Sequence, residues 1–153
     1  MEPKIMSKGE LLIAGVSGDA SETGQLWQRF SELDKKVGLK NCLSRHGYEV
    51  RLHYQDGQAK VHVGVCVADS NVDGAFTVLR LPASTYAVWE VYVARGYDSA
   101  NADMDRWLEA NRARYGERKL DGAHYAVEHY DERFKGDGED SVVEIWIPLV
   151  ELV

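Results

Sequence analysis

The sequence has few cysteines, a deficit of basic residues and no long apolar run. Its two cysteines, Cys42 and Cys66, lack CxxC spacing and are too few for a disulfide framework. The 18 Lys and Arg residues against 25 Asp and Glu residues give a net charge of −7. This charge argues against direct nucleic-acid binding, because phosphates require a basic surface. No segment offers the ~20 apolar residues that cross a bilayer, and residues 1–10 lack the apolar centre of a signal peptide. We therefore expect a reduced, cytoplasmic protein with no membrane partner.

The composition is otherwise that of an ordinary globular domain. Hydrophobic residues make up 44% of the chain and charged residues 28%, which is typical of a folded protein and not of disorder. A chain of 153 residues can bury roughly 70% of its unfolded surface within one domain. No low-complexity segment or linker divides the sequence. Residues 1–153 are therefore predicted to form a single domain.

Two segments have the periodicity of amphipathic helices. In the first, Leu26, Phe30 and Leu33 are spaced at i, i+4 and i+7, and Trp27 widens the apolar stripe. Trp27 is accordingly expected to lie in the core, and the alternative is that it points into a ligand site. The second helix is predicted over 99–115, with Trp107 on its apolar side. Apolar runs and alternating patterns predict strands at 11–16, 47–54, 60–67, 76–81, 85–93, 123–130 and 141–153.

The order of these elements repeats within the chain. Each half runs strand, helix, strand, strand, and each helix carries a tryptophan. Tyr48-Glu49-Val50 in the first half is also similar to Tyr125-Ala126-Val127 in the second. The repetition predicts an α+β fold in which two pseudo-symmetric βαββ units form one antiparallel sheet, with both helices on one side and a central groove.

The last strand carries the first candidate functional residue. Its aliphatic residues alternate with Glu144, Trp146 and Pro148, so a carboxylate and an indole share one face of the most hydrophobic segment. A buried carboxylate is costly unless something pairs with it. Glu144 therefore either sits at a sheet edge or pairs with an arginine on a neighbouring strand, or it lines a cavity that takes a cation or a hydrogen-bond donor.

The histidines and cysteines do not form a recognisable catalytic or metal-binding pattern. His124 and His129 are five apart on a strand, so they point to opposite faces and are not expected to share a metal ion. Cys66 alternates with valines and is expected to be a packed or sheltered thiol. No phosphate-binding loop or nucleophile elbow is present. The sequence therefore predicts no metal site, no cofactor and no catalytic residue.

Several motifs resemble those of one family. The segment Leu-Pro-Ala-Ser-Thr-Tyr-Ala-Val-Trp at 81–89 and the closing Glu-Ile-Trp-Ile-Pro at 144–148 are similar to the GyrI-like, or AraC-type effector-binding, domain. The resemblance covers roughly residues 13–149. It implies two βαββ units about a pseudo-two-fold axis and a ligand groove at their junction. Because about ten residues precede the first strand, we expect no DNA-binding unit in this chain.

The resemblance also implies a ligand and a site. Drug-sensing members of the family place a glutamate among aromatic rings to receive a lipophilic cation, and Glu144 lies in the matching motif. If it is such a sheltered anion, its pKa should be raised. Alternatives are a hydrolase that acts on small electrophiles with Glu and Tyr, and a protein-interaction module with a regulator or gyrase as partner. Glu128 is a further carboxylate, and the predicted ligand-binding residues are Glu144, Trp146, Tyr125, Tyr86, Tyr92, Trp89, Tyr48 and Glu90.

Overall fold

The computed structural model describes residues 1–152 and contains two α-helices and ten strands. Short 3-10 turns at Ala20–Glu22 and Val93–Arg95 precede the helices, which are α1 (Thr23–Lys36) and α2 (Tyr97–Ala110). The strands are β1 (Lys4–Lys8), β2 (Leu11–Asp19), β3 (Gly47–His53), β4 (Ala59–Cys66), β5 (Thr77–Leu81), β6 (Ser84–Tyr92), β7 (Tyr115–Glu117), β8 (Lys119–Leu120), β9 (Ala123–Tyr130) and β10 (Val142–Glu151).

The strands form one antiparallel sheet with the order β1-β6-β10-β9-β3-β4-β2-β5, and β7 and β8 pair with β10 and β9. One unit is β2-α1-β3-β4 and the other is β6-α2-β9-β10, which confirms the predicted α+β fold with two βαββ units. The units meet where β3 pairs with β9, with Val50 opposite Val127. A pseudo-two-fold axis through this pair relates Tyr48 to Tyr125 and Arg51 to Glu128.

Both helices pack on the same face of the sheet. Leu26 and Phe30 of α1 pack on valines of β2 and β4, while Met104 of α2 packs on Trp89, Ile145 and other residues of β6 and β10. Register partners in an antiparallel sheet have their side chains on the same face. Ile145, in the α2 cluster, is the register partner of Glu128, and Glu128 is the register partner of Glu49. Trp27 of α1 contacts Glu49, so both helices lie on this face. Between the helices, the central strands β3 and β9 remain uncovered.

The opposite face of the sheet closes around a second core. Links of two residues join β1 to β2 and β5 to β6, although the members of each pair lie towards opposite ends of the sheet. The sheet therefore curls until its ends approach. Ile13 and Leu81 from one end pack in the same cluster as Tyr86 and Trp146 from the other.

The structure departs from the predicted elements by three additional strands, β1, β7 and β8, and by a shorter second helix. Residues 4–8 form an edge strand that was not predicted, because their mostly exposed side chains show no alternation of apolar and polar residues. The second helix ends at Ala110 instead of residue 115, since Tyr115 pairs with Glu151 as part of β7. Within residues 1–152, neither helix has the length and apolar character to cross a membrane.

Candidate functional site

The uncovered part of the sheet between the helices forms a groove, here called the helix-side groove. Two adjoining cavities of about 460 and 430 Å³ occupy it, and both are lined by Glu49 and Tyr130. The first, the carboxylate chamber, is lined by Glu49, Arg51, His53, Tyr97, Asn101, Ala126, Glu128, Tyr130 and Ile145. The second, the aromatic chamber, is lined by Trp27, Arg45, Gly47, Glu49, Tyr130, Asp131 and Phe134.

A pair of carboxylates forms the floor of the carboxylate chamber. Glu49 on β3 and Glu128 on β9 are register partners, so two like charges face each other across neighbouring strands. This arrangement is normally destabilising. Arg51 lies on the same face as Glu49 and contacts both acids, with its Nε donating to Glu128 Oε2 at 2.7 Å and its Nη2 to Glu49 Oε2 at 3.1 Å. One guanidinium thus holds two carboxylates together.

The remaining oxygen of each carboxylate accepts a hydrogen bond from an aromatic residue. The indole Nε1–H of Trp27 donates to Glu49 Oε1 at 2.6 Å. The hydroxyl of Tyr130 donates to Glu128 Oε1 at 3.0 Å. Both donors are themselves walls of the groove, so the carboxylates are oriented by the same rings that a ligand would touch.

The ionised form of Glu49 is destabilised by its burial and by the neighbouring carboxylate of Glu128. Glu49 is only 5% exposed, and its burial together with the charge of Glu128 raises its pKa. Burial and the neighbouring Glu128 also raise the pKa of the Tyr130 hydroxyl, which therefore stays a donor. A raised pKa for an acid means that its anion is poorly stabilised where it stands. The floor of the groove is thus suited to a positive charge.

The aromatic chamber provides apolar walls beside this charge. Tyr130 makes edge-to-face contacts with Trp27 and Phe134, at centroid distances of 6.2 and 4.9 Å. Phe134 belongs to the loop between β9 and β10 and is 40% exposed, so its ring is accessible. Cations are attracted to such ring faces. The chamber can therefore hold a flat apolar group whose positive charge reaches Glu49.

Glu144, the residue predicted first from the sequence, lies on the opposite face of the sheet in a network of its own. Its Oε1 contacts His129 Nδ1 at 2.8 Å and accepts from Trp146 Nε1 at 3.0 Å, and its Oε2 lies 2.9 Å from Arg133 Nη2. The hydrogen bond with His129, followed by those from Arg133 and Trp146, lowers the pKa of Glu144 to about 2. The prediction of a raised pKa was therefore wrong. Glu144 pairs with an arginine of the loop before β10, and not with one on a neighbouring strand.

The predicted aromatic residues divide between the two faces. Tyr48, Tyr86, Tyr125 and Trp146 are buried in the core opposite the helices, where the hydroxyls of Tyr86 and Tyr125 lie 3.1 Å apart. Trp89 lies beneath α2 instead, with its ring centroid 5.7 Å from that of Trp107. On each face these rings pack within a hydrophobic core, and their role in ligand binding stays a prediction.

Glu90 and Tyr92 lie closer to Glu144 than to the helix-side groove. All three residues line a cavity of about 350 Å³ near the N-terminus, together with Lys4 and Arg95. Glu90 is partly exposed and contacts Lys4 at 3.7 Å and Arg133 at 3.3 Å. This cavity contains carboxylates that already have basic partners.

One cluster has the residue types of a metal site. His129, Asp131 and Glu144 present ligand atoms within 4.8 Å of one another. The guanidinium of Arg133 contacts both Asp131, at 2.8 Å, and Glu144. The guanidinium of Arg133 therefore bridges two of the three residues, and His129 contacts Glu144.

Four residues of the groove were not predicted from the sequence: Glu49, Arg51, Tyr97 and Phe134. Trp27 was expected in the core. Trp27 does pack at the edge of the α1 core, but its indole N–H points at Glu49. A signal was present in β3, where Glu49 and Arg51 alternate with Tyr48 and Val50, since charged residues on one face of a central strand mark that face as uncovered.

Comparison with solved structures supports the fold. SAV2435 bound to tetraphenylphosphonium matches with a TM-score of 0.72 at 18% identity, covering 98% of this chain and 94% of that one. The C-terminal domain of EcmrR matches with a TM-score of 0.70 at 14% identity, covering 99% and 98%. EcmrR in its DNA complex matches with a TM-score of 0.72 at 16% identity, covering 99% of this chain and 58% of that one. At these identities the matches show the fold.

The family is shown by the sequence itself. No protein with a curated description matches the chain. A family model described as Cass2, integron-associated effector binding protein, matches residues 13–149, which is most of the chain. The chain therefore belongs to this family of GyrI-like effector-binding proteins, as its motifs predicted.

Proposed function

We propose that this protein binds a lipophilic, aromatic small molecule with a positive charge in the helix-side groove. The observation that carries the proposal is the cross-strand pair of Glu49 and Glu128, which shares a single guanidinium, Arg51. A ligand cation would complete the neutralisation of this pair. It would also stabilise the buried anion of Glu49, whose pKa is raised in its absence.

The walls of the groove fit the rest of such a ligand. The two chambers of about 460 and 430 Å³ are within the size range of small-molecule sites. Trp27, Tyr130 and Phe134 offer flat surfaces that accept rings of different shapes. The effector-binding family supports the binding of a small-molecule effector, and the tetraphenylphosphonium complex of SAV2435, which has the same fold, supports a lipophilic cation as that effector.

Calorimetric titration with tetraphenylphosphonium, compared with the neutral triphenylphosphine oxide, tests this function. We expect the cation to bind more tightly than the neutral compound. Glu128→Gln should weaken cation binding by about tenfold or more, because a desolvated charge pair loses one partner. The neutral compound should be affected much less, since it uses the rings and not the charge.

Glu144→Gln is the matched control, because Glu144 lies on the other face of the sheet. It also tests the site predicted from the sequence. Loss of cation binding in Glu144→Gln with full binding in Glu128→Gln would overturn the groove as the site and support the Glu144 region. Equal binding of the cation and the neutral compound by the wild type would overturn the charge-based function.

A further inference from the structure

Arg51 occupies a position that determines the charge of the groove. It follows Glu49 by two residues on β3, and its register partner on β9 is Ala126. Because alanine has a short side chain, the guanidinium of Arg51 extends across β9 to Glu128 and still contacts Glu49. The pseudo-two-fold axis relates Arg51 to Glu128 and Glu49 to Ala126. The two units thus contribute unequal charges to one site.

Two further charged residues in the walls of the groove, Arg45 and Asp131, pair with residues that do not line it. Arg45 pairs with Asp34. Asp131 pairs with Arg133 at 2.8 Å. His53 is exposed at the end of β3. Two carboxylates and one guanidinium therefore remain at the floor, which leaves one net negative charge when both acids are ionised.

We infer that Arg51 is a specificity-determining residue that sets this net charge, so that the groove selects organic cations with a single positive charge. The inference rests on the proposed function and adds to it the charge class of the ligand. A monocation neutralises the floor. A neutral ligand leaves one negative charge unpaired, whereas a dication brings a second positive charge against Arg51. Like charges brought together in a partly desolvated site repel each other strongly.

If the role of Arg51 were purely structural, its removal would have a different effect on ligand affinity. Arg51 contacts Glu49, Glu128 and the hydroxyl of Thr23 at 3.5 Å, so it also holds strand β3 to β9 and α1. If only this bracing mattered, removal of Arg51 would disturb the groove for every ligand. It could not restore binding that was lost when a carboxylate was removed.

A charge series separates the two roles. Ethidium is a flat monocation, and propidium carries the same ring system with a second quaternary ammonium group. Both are titrated by fluorescence against the wild type, Glu49→Gln, Arg51→Met and the double variant Arg51→Met/Glu49→Gln. These proteins have floors with one, zero, two and one net negative charges when the remaining acids are ionised. Arg51→Lys keeps the charge and changes the geometry.

We expect the wild type to prefer ethidium, and Glu49→Gln to bind ethidium about tenfold or more weakly. The double variant should bind ethidium within about threefold of the wild type, because its floor again has one negative charge. Arg51→Lys should also stay within about threefold. Arg51→Met should move the preference towards propidium by about tenfold, as a second carboxylate becomes free.

The decisive result is the double variant. If it binds ethidium as weakly as Glu49→Gln or more weakly, Arg51 acts as a brace and the inference is overturned, while wild-type binding still supports the proposed function. If the wild type binds neither dye, the proposed function and the inference both fall. Circular dichroism shows whether Arg51→Met folds. If it does not, the double variant and Arg51→Lys still distinguish the two roles of Arg51, because neither leaves two carboxylates without a cation.

Discussion

The carboxylate sites of Glu144 and Glu49 lie on opposite faces of the same sheet, and their surroundings differ. On the face away from the helices, Glu144 is contacted by His129, Arg133 and Trp146, and its pKa falls to about 2. On the helix face, Glu49 faces a second acid, Glu128, and its pKa is raised. Both acids share a guanidinium with other carboxylates, since Arg133 also contacts Asp131 and Glu90, but Glu144 has a third side-chain partner in His129.

This difference shows what distinguishes a structural acid from a candidate ligand site. The position of a carboxylate within an apolar strand does not decide the matter, because both Glu144 and Glu49 occupy such positions. The charges and hydrogen-bond donors around the carboxylate determine whether it is a structural acid or a candidate ligand site. A better compensated acid gains less from a ligand cation than an under-compensated acid does.

The largest expected effect comes from removing the charge of Glu144. Glu144→Gln leaves Arg133 and His129 without their anion, and breaking such a partly buried pair should lower the free energy of unfolding by about 2–3 kcal/mol. Glu49→Gln removes a like-charge contact with Glu128 and should change the same free energy by less than about 1 kcal/mol. Urea denaturation at neutral pH measures both.

Ligand binding should show the reverse order. Glu49→Gln should weaken binding of tetraphenylphosphonium, and Glu144→Gln should leave it within about threefold of the wild type wherever the protein is folded. The contrast between the two acids would be refuted if Glu49→Gln were the less stable variant and Glu144→Gln the weaker binder.

The pH dependence of stability gives a second contrast, because the two pKa shifts have opposite signs. The folded pKa of Glu144, about 2, lies below the unfolded value of 4.5, so its contribution is present above pH 4.5 and lost as the pH falls towards 2. After allowance for solvent screening this is about 1–2 kcal/mol. The wild type should therefore lose more stability than Glu144→Gln between about pH 5 and pH 2.

Glu49 should behave in the opposite way. Its folded pKa is raised above 4.5, so its contribution is present below pH 4.5 and is lost as the pH rises through the folded pKa. Relative to Glu49→Gln, the wild type should become less stable as the pH rises. Urea denaturation curves at a series of pH values measure both trends, and trends of the same sign for Glu49 and Glu144 would contradict the assignment of the two environments.

Most of the fold was predictable from the sequence, because it depends on patterns that packing imposes. The alternation in the strands and the repeated Tyr-x-Val of 48–50 and 125–127 reflect a two-sided sheet with an internal axis, and the structure places Val50 opposite Val127. The edge strand β1 was not predictable in this way, since an exposed edge imposes no burial pattern on residues 4–8.

The candidate site was much less predictable, because it depends on which charges meet. From the sequence, Glu144 stands out beside Trp146, but nothing indicates that Arg133, from the preceding loop, folds back to pair with it. Similarly, the register that sets Glu49 against Glu128 involves residues almost eighty positions apart in the sequence. Local patterns indicate which face a side chain occupies, and tertiary pairing decides what it meets there.

A smaller effect is expected from the two tryptophans of the helices. Trp27→Phe keeps an aromatic ring in α1 but removes the 2.6 Å hydrogen bond to Glu49, which should cost about 1–2 kcal/mol of stability. It should also weaken binding of tetraphenylphosphonium about three- to tenfold, because the Glu49 carboxylate is less well oriented. Thermal unfolding and calorimetry measure these two quantities.

Trp107→Phe is the matched control in α2. Trp107 packs on Trp89 and Tyr115 and does not line the helix-side groove. Its substitution should lower stability without changing ligand affinity. A loss of affinity as large as that of Trp27→Phe would indicate that the groove responds to general loosening of the helices and not to the bond with Glu49.

The smallest effect is expected at Glu90, which lines the same cavity as Glu144 but is more exposed and makes longer ion-pair contacts. Its side chain is 43% exposed, and it contacts Lys4 at 3.7 Å and Arg133 at 3.3 Å. Exposed ion pairs of this kind contribute little, and Arg133 keeps Asp131 and Glu144 as partners when Glu90 is removed. Glu90→Gln should therefore change the free energy of unfolding by less than about 0.5 kcal/mol and leave cation affinity unchanged. Urea denaturation and calorimetry check both values. A loss of affinity in Glu90→Gln that matched the loss in Glu128→Gln would place a ligand carboxylate on the face of Glu144, and the distinction between compensated and under-compensated acids would fail.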